Sequence, residues 1–451
     1  MAYTQTTSTS WFSRLGSSFR GIGMGLFLIA AGTALLWWNE GNFVATGDAL
    51  NEAHAITQPL GDISRVDPSK NGQLVHATGP VETKDMLTDP VFGLSLNAIR
   101  LERKVEYFQW VEESRSETRD KLGGGTETVT TYTYVQRWVN RPVDSSRFRD
   151  PTAPRLKRNF ILANMENFQA QATNVTFGAY RLPGFLINSI SGAIPLNVLL
   201  PEETLDALNE QLIAAAKQAA PQTQSFSEAA QEGAVRGLRE AVTGDVAPSL
   251  AEIKQQERLQ EARRRKPGEN AEMVHVSGST VFLGVSPAMP QVGDLRVTFM
   301  ETRPDTVSIL AKVNGDTFEV FRASNNSTFS KLVMGTHSLE NMYGAAHSSN
   351  VTMTWVLRFA GVILVMLGLK MLVAPLAVFA SVIPFLGSIV GAGAGLVSTL
   401  LGIAWSLVII SIAWLRFRPL VGGAMLLVAG LLVAALYFKG RSGKAETTNT
   451  T

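Results

Sequence analysis

The 451-residue chain contains no cysteine and only five histidines. The absence of cysteine excludes disulfide scaffolds, thiolate-bound zinc, iron–sulfur clusters and thiol nucleophiles. Charged residues are also scarce, at 17% of the chain, against about 25% in an average globular protein. The 40 basic and 38 acidic residues nearly balance, so charge gives no reason to expect a nucleic-acid partner.

The residues that remain for catalysis or ligand binding are scattered along the chain. No H-x-x-x-H pair and no G-x-S-x-G elbow is present, and the glycine-rich segment 387–395 lacks the Lys-Ser/Thr of a phosphate loop. The histidines are His54, His76, His275, His337 and His347. We therefore expect no catalytic residue, no metal site and no cofactor.

A charge-free run covers Gly21 to Trp38 near the N-terminus. At 1.5 Å per residue a helix of this length spans most of a ~30 Å hydrocarbon core, so we predict a transmembrane span over residues 21–39. A cleaved signal peptide is the alternative, since a basic segment precedes the run. The span is favoured because the run ends in Trp37 and Trp38, which are typical interface anchors and not a small-residue cleavage site.

The C-terminal region is more apolar still, with 45 uncharged residues between Lys370 and Arg416. One helix of that length would measure about 68 Å, so the chain must fold back at least once. We predict a transmembrane bundle over residues 352–438. Its three spans are expected at about 353–376, 390–414 and 419–438, with a fourth short span near 377–392 as the alternative.

Basic residues beside the spans set the expected orientation. Arg14 and Arg20 precede the first span with no acidic residue among residues 1–39, which predicts a cytoplasmic N-terminus over residues 1–20. Residues 40–351 then form an extracytoplasmic domain, and the basic tail 439–451 returns to the cytoplasm. Arg416 and Arg418 fall in a turn that this arrangement places outside, and they favour a five-span alternative.

Two kinds of residue in the spans are candidates for membrane function. Glycines at four-residue spacing let helices approach closely in lipid, and they predict packing surfaces at Gly21, Gly25, Gly387, Gly391 and Gly395. The pair in the first span predicts self-association. Basic and aromatic residues near span ends predict interface positions at Trp37, Trp38, Arg358, Lys370, Arg416 and Arg418. For Arg358 and Lys370 snorkelling to the interface is favoured over an ion pathway.

The region between the first and second spans has ordinary globular composition and predicts an α+β domain. Strand-like runs on either side of the polar segment 114–125 predict a β-hairpin. The segment LVHATG at 74–79 returns as MVHVSG at 273–278, which predicts two related β units, with chance similarity as the alternative. Between them, residues 201–266 have helical spacing and predict a helical insertion.

Several motifs in order resemble the LUMA (transmembrane protein 43) family. They are WNEG at 38–41, LVHATG at 74–79, LTDPVFG at 87–93, EYFQWVE at 106–112, YTY at 132–134 with Trp138, and TWVLRF at 354–359. The resemblance implies a multi-pass protein with four spans, a lumenal loop and self-association, which in animals lies in the endoplasmic reticulum and inner nuclear membrane and organises membrane protein complexes. It supplies no catalytic residue.

The insertion at 201–266, the lack of cysteine and the richness in alanine and glycine indicate a bacterial member. The cell (inner) membrane then replaces the animal membranes, and nuclear-envelope partners do not carry over. We therefore expect a non-enzymatic, self-associating scaffold or signalling platform whose partner is the lipid bilayer. A channel or transporter component is the alternative, and an envelope hydrolase is less favoured.

Overall fold

The computed structural model describes residues 2–219, 272–420 and 422–423. The chain forms two compact units. The first contains Met1–Thr4, Gly79–Arg115 and Thr131–Thr306, and the second contains Gln5–Thr78, Ser116–Thr130 and the chain from Val307 onward. The last predicted span at 419–438, the tail at 439–451 and most of the insertion lie largely or wholly outside the described residues.

Among the described residues the helices are Trp11–Ile56 (α1), Ala153–Leu156 (α2), Gly184–Ile187 (α3), Glu202–Ala219 (α4), Leu339–Ala380 (α5) and Pro384–Phe417 (α6). Short 3₁₀ turns occur at Pro68–Lys70 and Ser145–Arg147. The strands before the insertion are Tyr3–Thr9 (β1), Gln58–Pro59 (β2), Leu74–Thr83 (β3), Met86–Thr88 (β4), Ser95–Asn97 (β5), Arg100–Asp120 (β6), Thr126–Val139 (β7), Phe168–Gln171 (β8), Val175–Phe177 (β9), Tyr180–Arg181 (β10) and Ile194–Pro195 (β11). Those after it are Val274–Ser277 (β12), Thr280–Leu283 (β13), Leu295–Thr302 (β14), Thr306–Asn314 (β15), Thr317–Glu319 (β16), Phe321–Arg322 (β17), Thr328–Phe329 (β18) and Lys331–Met334 (β19).

The first unit is built on a sheet in which β7, β6, β14, β13 and β12 are successive neighbours. Strand β14 pairs antiparallel with β6 along its whole length, from Leu295 opposite Tyr107 to Thr302 opposite Arg100. Alternate residues of β14 point into the core, where Leu295, Val297 and Phe299 are fully buried, as expected for a sheet with one covered face. Helix α4 closes this core through Leu208 and Leu212, which confirms the helical spacing predicted at the start of the insertion.

The second unit combines the three long helices with a smaller group of strands. Strand β15 has β19 and β16 as antiparallel neighbours and also pairs with β3, which runs parallel to β2. Leu74 and Leu310 of these strands are buried together with Leu50 of α1 and Tyr343 of α5. The ends of two long helices are therefore part of the core of this unit.

Helices α1, α5 and α6 are long and apolar enough to cross a membrane. Helix α1 has 46 residues and α5 has 42, about 69 and 63 Å at 1.5 Å per residue, so both exceed the spans predicted within them. Side chains of Ser10 and Ser338 cap their N-termini. Helix α5 ends at Ala380 and α6 begins at Pro384, so a chain reversal stands where the alternative fourth span was placed.

The predicted hairpin is confirmed, but its connecting loop is much shorter than expected. Strand β6 runs through the polar residues to Asp120, and β7 starts at Thr126. Threonine and serine hydroxyls pair across these strands, as in Ser116 with Thr130 at 2.9 Å, and such cross-strand pairs stabilise a ladder that composition alone does not reveal.

The two echoed segments are both strands, but their local folds differ. Gly278 has a φ of 59° and turns the chain into β13, whereas Gly79 lies inside the continuous strand β3. Strand β12 pairs antiparallel with β13, while β3 pairs parallel with β2 and, beyond Gly79, antiparallel with β9. The two segments lie in different sheets with different neighbours, so the prediction of two equivalent β units is wrong.

Candidate functional site at one end of the helix bundle

A buried ion pair joins α1 to α5 close to the point where the apolar run of α1 ends. Arg358 of α5 donates from Nε to Oε1 of Glu40 at 2.6 Å and from Nη2 to Oε2 at 2.7 Å. The side chains are 1% exposed for Glu40 and 11% for Arg358. Two parallel N–H···O bonds fix the guanidinium and the carboxylate in one geometry. Pairing with Glu40 neutralises the charge of Arg358 within the chain, and the interface position of this arginine stays a prediction.

The third long helix binds the same carboxylate. Trp414 of α6 donates from Nε1 to Oε2 of Glu40 at 2.8 Å. The Arg358 guanidinium carbon lies 4.9 Å from the ring centroid of Trp355 and 5.6 Å from that of Trp414, within the range of cation–π attraction. One carboxylate thus connects three helices. We call Glu40, Arg358, Trp355 and Trp414 the Glu40 cluster.

The neighbours of Glu40 in α1 also contact the other helices. Asn39, 1% exposed, donates from Nδ2 to the carbonyl of Thr354 at 3.2 Å. A Cβ on Gly41 would lie 2.8 Å from the Phe417 ring, so only glycine leaves room for this side chain. The segment WNEG therefore reaches both α5 and α6 through consecutive residues.

Glycines form the contact between α1 and α5 deeper in the apolar region. A Cβ on Gly25 would meet the Gly368 carbonyl at 2.8 Å, and one on Gly32 would meet the Gly361 carbonyl at 2.9 Å. Gly25 and Gly32 are seven residues apart on α1, and Gly361 and Gly368 are seven residues apart on α5, which runs antiparallel to α1. The two backbones therefore approach closely at two successive levels. The surface predicted for self-association at Gly25 is instead occupied by α5 of the same chain.

The other predicted packing glycines have different surroundings. A Cβ on Gly387 would lie 2.6 Å from Ser381 in the turn between α5 and α6, and one on Gly391 would lie 3.9 Å from Ala377. Around Gly21 and Gly395 there is open space. The C-terminal glycines therefore contact the neighbouring helix only near the turn.

Most of the predicted interface residues lie near the Glu40 cluster. Trp37 packs against Phe417 with ring centroids 5.6 Å apart, and Trp38 is 56% exposed. Arg416 and Arg418 are exposed at the end of α6. Lys370 is exposed and lies far along α5, beyond Gly368.

The opposite end of the bundle is held by weaker contacts. Trp11 donates from Nε1 to the carbonyl of Val378 at 2.9 Å. Arg14 donates to the Gly124 carbonyl at 2.6 Å and lies 3.4 Å from Asp120, both at the tip of the hairpin. A segment predicted to be cytoplasmic therefore contacts one predicted to be extracytoplasmic.

Two motifs of the first unit form structural centres. Asp89 of LTDPVFG is fully buried, accepts from the amides of Val91 and Phe92 at 2.9 Å, and binds Arg103 at 2.7 Å through both oxygens. In EYFQWVE, Glu112 accepts from the Tyr134 hydroxyl at 2.7 Å. Burial is the main cause that raises the pKa of Tyr134 to about 12, and the hydrogen bond with the Glu112 carboxylate is the second cause.

The buried carboxyl of Asp294 in the first unit has no charged partner among the residues that the structure describes. Asp294 is 3% exposed and accepts from the amide of Gln291 at 2.7 Å. Burial raises the pKa of Asp294 to about 7, against the lowering effect of this hydrogen bond. Within residues 2–219 and 272–423 no group of three or more His, Asp and Glu side chains is placed to bind a metal ion.

The family model described as Transmembrane protein 43 matches residues 107–419. The chain belongs to this family.

Individual relatives agree with that assignment across nearly the whole length. Transmembrane protein 43 of Homo sapiens is 25% identical over 443 residues, which cover 96% of this chain and 92% of the relative. The Transmembrane protein 43 homolog of Drosophila melanogaster is 24% identical over 410 residues, which cover 89% and 90%. No solved structure matches. The resemblance drawn from the sequence motifs is thus confirmed.

Two motifs of this Transmembrane protein 43 family member meet in the Glu40 cluster. WNEG at 38–41 supplies Asn39, Glu40 and Gly41, and TWVLRF at 354–359 supplies Thr354 and Arg358. Sequence reasoning missed Glu40 and Trp414 as site residues. An available signal was one acidic and one basic residue near the ends of two different spans, since charges in such positions usually have a partner.

Proposed function

We propose that this Transmembrane protein 43 family member is a non-enzymatic, multi-pass membrane scaffold that self-associates. The observation that supports the proposal is the continuity of α1 and α5. Each is a single helix that contains an apolar stretch and also contributes buried side chains to the hydrophobic core of the second unit, where they pack against the β strands. Helices built in this way hold the membrane-crossing part and the β strands of that unit as one body.

Polar contacts reinforce the two helices beyond the apolar region. The Thr57 hydroxyl lies 2.8 Å from the Tyr343 hydroxyl, and His54 lies 3.1 Å from Glu340. Asn350 donates to the carbonyl of Phe43 at 3.0 Å. With the Glu40 cluster, these bonds fix the register of α1 against α5 over many turns, which supports a rigid platform more than a moving gate.

The orientation that we propose places the N-terminus in the cytoplasm and the region between α1 and α5 outside the cell (inner) membrane. The contact of Arg14 with the hairpin tip sets a condition on this arrangement. Polar strands with an open edge are not tolerated in hydrocarbon. When α1 crosses a bilayer in this orientation, the tip must leave Arg14 and β1 must separate from its sheet neighbour β7.

A channel or transporter remains the competing function. It would need ionisable groups facing a pathway, but Arg358 is neutralised by Glu40 in the described structure. Liposomes that contain the purified protein and show no selective ion flux would support the scaffold. Selective flux that is lost on changing Arg358 would contradict it.

Thiol labelling tests the orientation, because the natural chain has no cysteine. Leu122 at the hairpin tip is 90% exposed, so Leu122→Cys should react with a membrane-impermeant maleimide on intact cells. Thr4→Cys should react only after permeabilisation. Labelling of both from outside, or of Leu122→Cys only after permeabilisation, would overturn the placement.

Self-association is tested by measuring particle mass. Mass photometry of the full chain in lipid nanodiscs is expected to give at least twice the single-chain mass of 48.8 kDa after subtraction of the empty disc. Since Gly25 is occupied within the chain, Gly21→Leu should weaken the assembly more specifically than Gly25→Leu, which also disturbs α5. A monomeric particle at all protein concentrations would contradict self-association.

A further inference from the structure

Two arginines at the end of α6 carry positive charge that the described chain does not neutralise. The Arg416 guanidinium carbon lies 5.7 Å from the Phe417 ring centroid, and that of Arg418 lies 4.8 Å from the Phe43 ring centroid. Neither forms an ion pair within the described ranges, whereas Arg358 nearby is bound by Glu40. The C-terminus of a helix offsets only about half a charge, so a net positive charge remains.

Aromatic side chains place these arginines at headgroup depth. Trp38 and Trp355 are 56% and 52% exposed near the Glu40 cluster, and such aromatic belts mark the membrane interface. The exposed Leu415 and Ile412 precede Arg416 on α6 and offer an apolar surface for acyl chains. Charge and aromatic rings thus adjoin one lipid-facing surface.

We propose that Arg416 and Arg418 bind the phosphate headgroup of an anionic phospholipid in the leaflet at the Glu40 end of the bundle. The guanidinium fork matches phosphate oxygens in a bidentate manner, and each of the two guanidinium groups lies over an aromatic ring. The site gives a role to two arginines in a turn that the predicted topology places on the outer side of the membrane, where basic residues are usually few. It requires α6 to cross the membrane but does not depend on the scaffold role.

Native mass spectrometry of the full chain in mild detergent tests this site. The probes are dioleoyl phosphatidylglycerol and dioleoyl phosphatidylcholine, which share acyl chains and differ in net charge. The wild type is expected to retain phosphatidylglycerol preferentially. Arg416→Gln with Arg418→Gln should weaken that binding about 30-fold, from about one kcal/mol per arginine, while Arg416→Lys with Arg418→Lys should keep most of it.

The matched control removes the same charge from the opposite end. Arg20→Gln with Lys370→Gln changes two exposed basic residues and should reduce the preference much less than Arg416→Gln with Arg418→Gln, with helix content checked by circular dichroism for every variant. Equal retention of the two lipids, or an equal loss in the control, would overturn the site. Displacement of phosphatidylglycerol by millimolar inorganic phosphate would show a free-anion site and would also overturn the lipid assignment.

Discussion

Each end of the helix bundle has an arginine beside a carboxylate, but the two pairs differ in burial and geometry. Arg358 and Glu40 make two bonds of 2.6 and 2.7 Å and are 11% and 1% exposed. Arg14 and Asp120 approach to 3.4 Å and are 23% and 45% exposed. A buried pair is costly to break because one charge is left without solvent or partner, whereas an exposed pair exchanges readily with water. The pair of Arg358 and Glu40 is therefore expected to contribute much more to stability than the pair of Arg14 and Asp120.

The largest effect is expected from breaking the buried pair. Glu40→Leu leaves Arg358 and the Trp414 indole N–H without their acceptor, and we expect a loss of about 3–5 kcal/mol in the free energy of unfolding. Unfolding in mixed micelles measures this. Glu40→Leu with Arg358→Met should recover much of the loss, and Asp48→Asn, at an exposed position of α1, serves as control. A Glu40→Leu variant as stable as the wild type would contradict the importance of the pair.

The buried carboxyl of the first unit should make stability depend on pH. The pKa of Asp294 is raised to about 7, so the folded state binds more protons than the unfolded state between about pH 4 and pH 7. Stability contributed by the neutral carboxyl is then complete below about pH 4 and is lost as pH rises through about 7, by on the order of 4 kcal/mol. Asp294→Asn should flatten this dependence in thermal unfolding curves. An unchanged pH profile in that variant would assign the dependence to other groups.

The glycine contacts between α1 and α5 provide a matched pair of substitutions. Gly32→Ala would place a methyl group 2.8 Å from the Val365 side chain, and we expect about 1–3 kcal/mol of destabilisation. Gly23→Ala in the same helix meets open space and should be neutral or slightly stabilising through helix propensity. Melting temperatures of the two variants in one detergent give the comparison, and equal values would show that α1 and α5 are not in close contact there.

The smallest effect is expected from the exposed pair of Arg14 and Asp120. Arg14→Ala should cost less than about 1 kcal/mol, since exposed ion pairs contribute little. A double-mutant cycle with Asp120→Ala measures the coupling in detergent. In nanodiscs we expect the coupling to vanish, because the hairpin tip cannot share the hydrocarbon layer with α1. A coupling that persists in lipid would show that the hairpin lies against the helices in the membrane.

The glycine prediction shows where sequence reasoning stops. Spacing identified Gly25 as a packing residue but could not name its partner, because a glycine has no side chain whose chemistry selects one. The structure supplies Gly368, more than 340 residues away along the chain. The predicted hairpin loop was too long for a related reason. Residues 114–120 are polar, and they form a strand only because they pair with β7.

By itself the sequence determined the apolar helices, the hairpin and the family, because these rest on local runs of residue type and on the order of motifs. Tertiary structure alone decided that Arg358 of the second span and Trp414 of the third both donate to the carboxylate of Glu40, at the end of the first span. The sequence identified Arg358 as unusual within an apolar span, but it named no partner for it. Their common role arises only when three helices pack closely enough to exclude water, since burial makes partners obligatory for charges that would otherwise remain solvated.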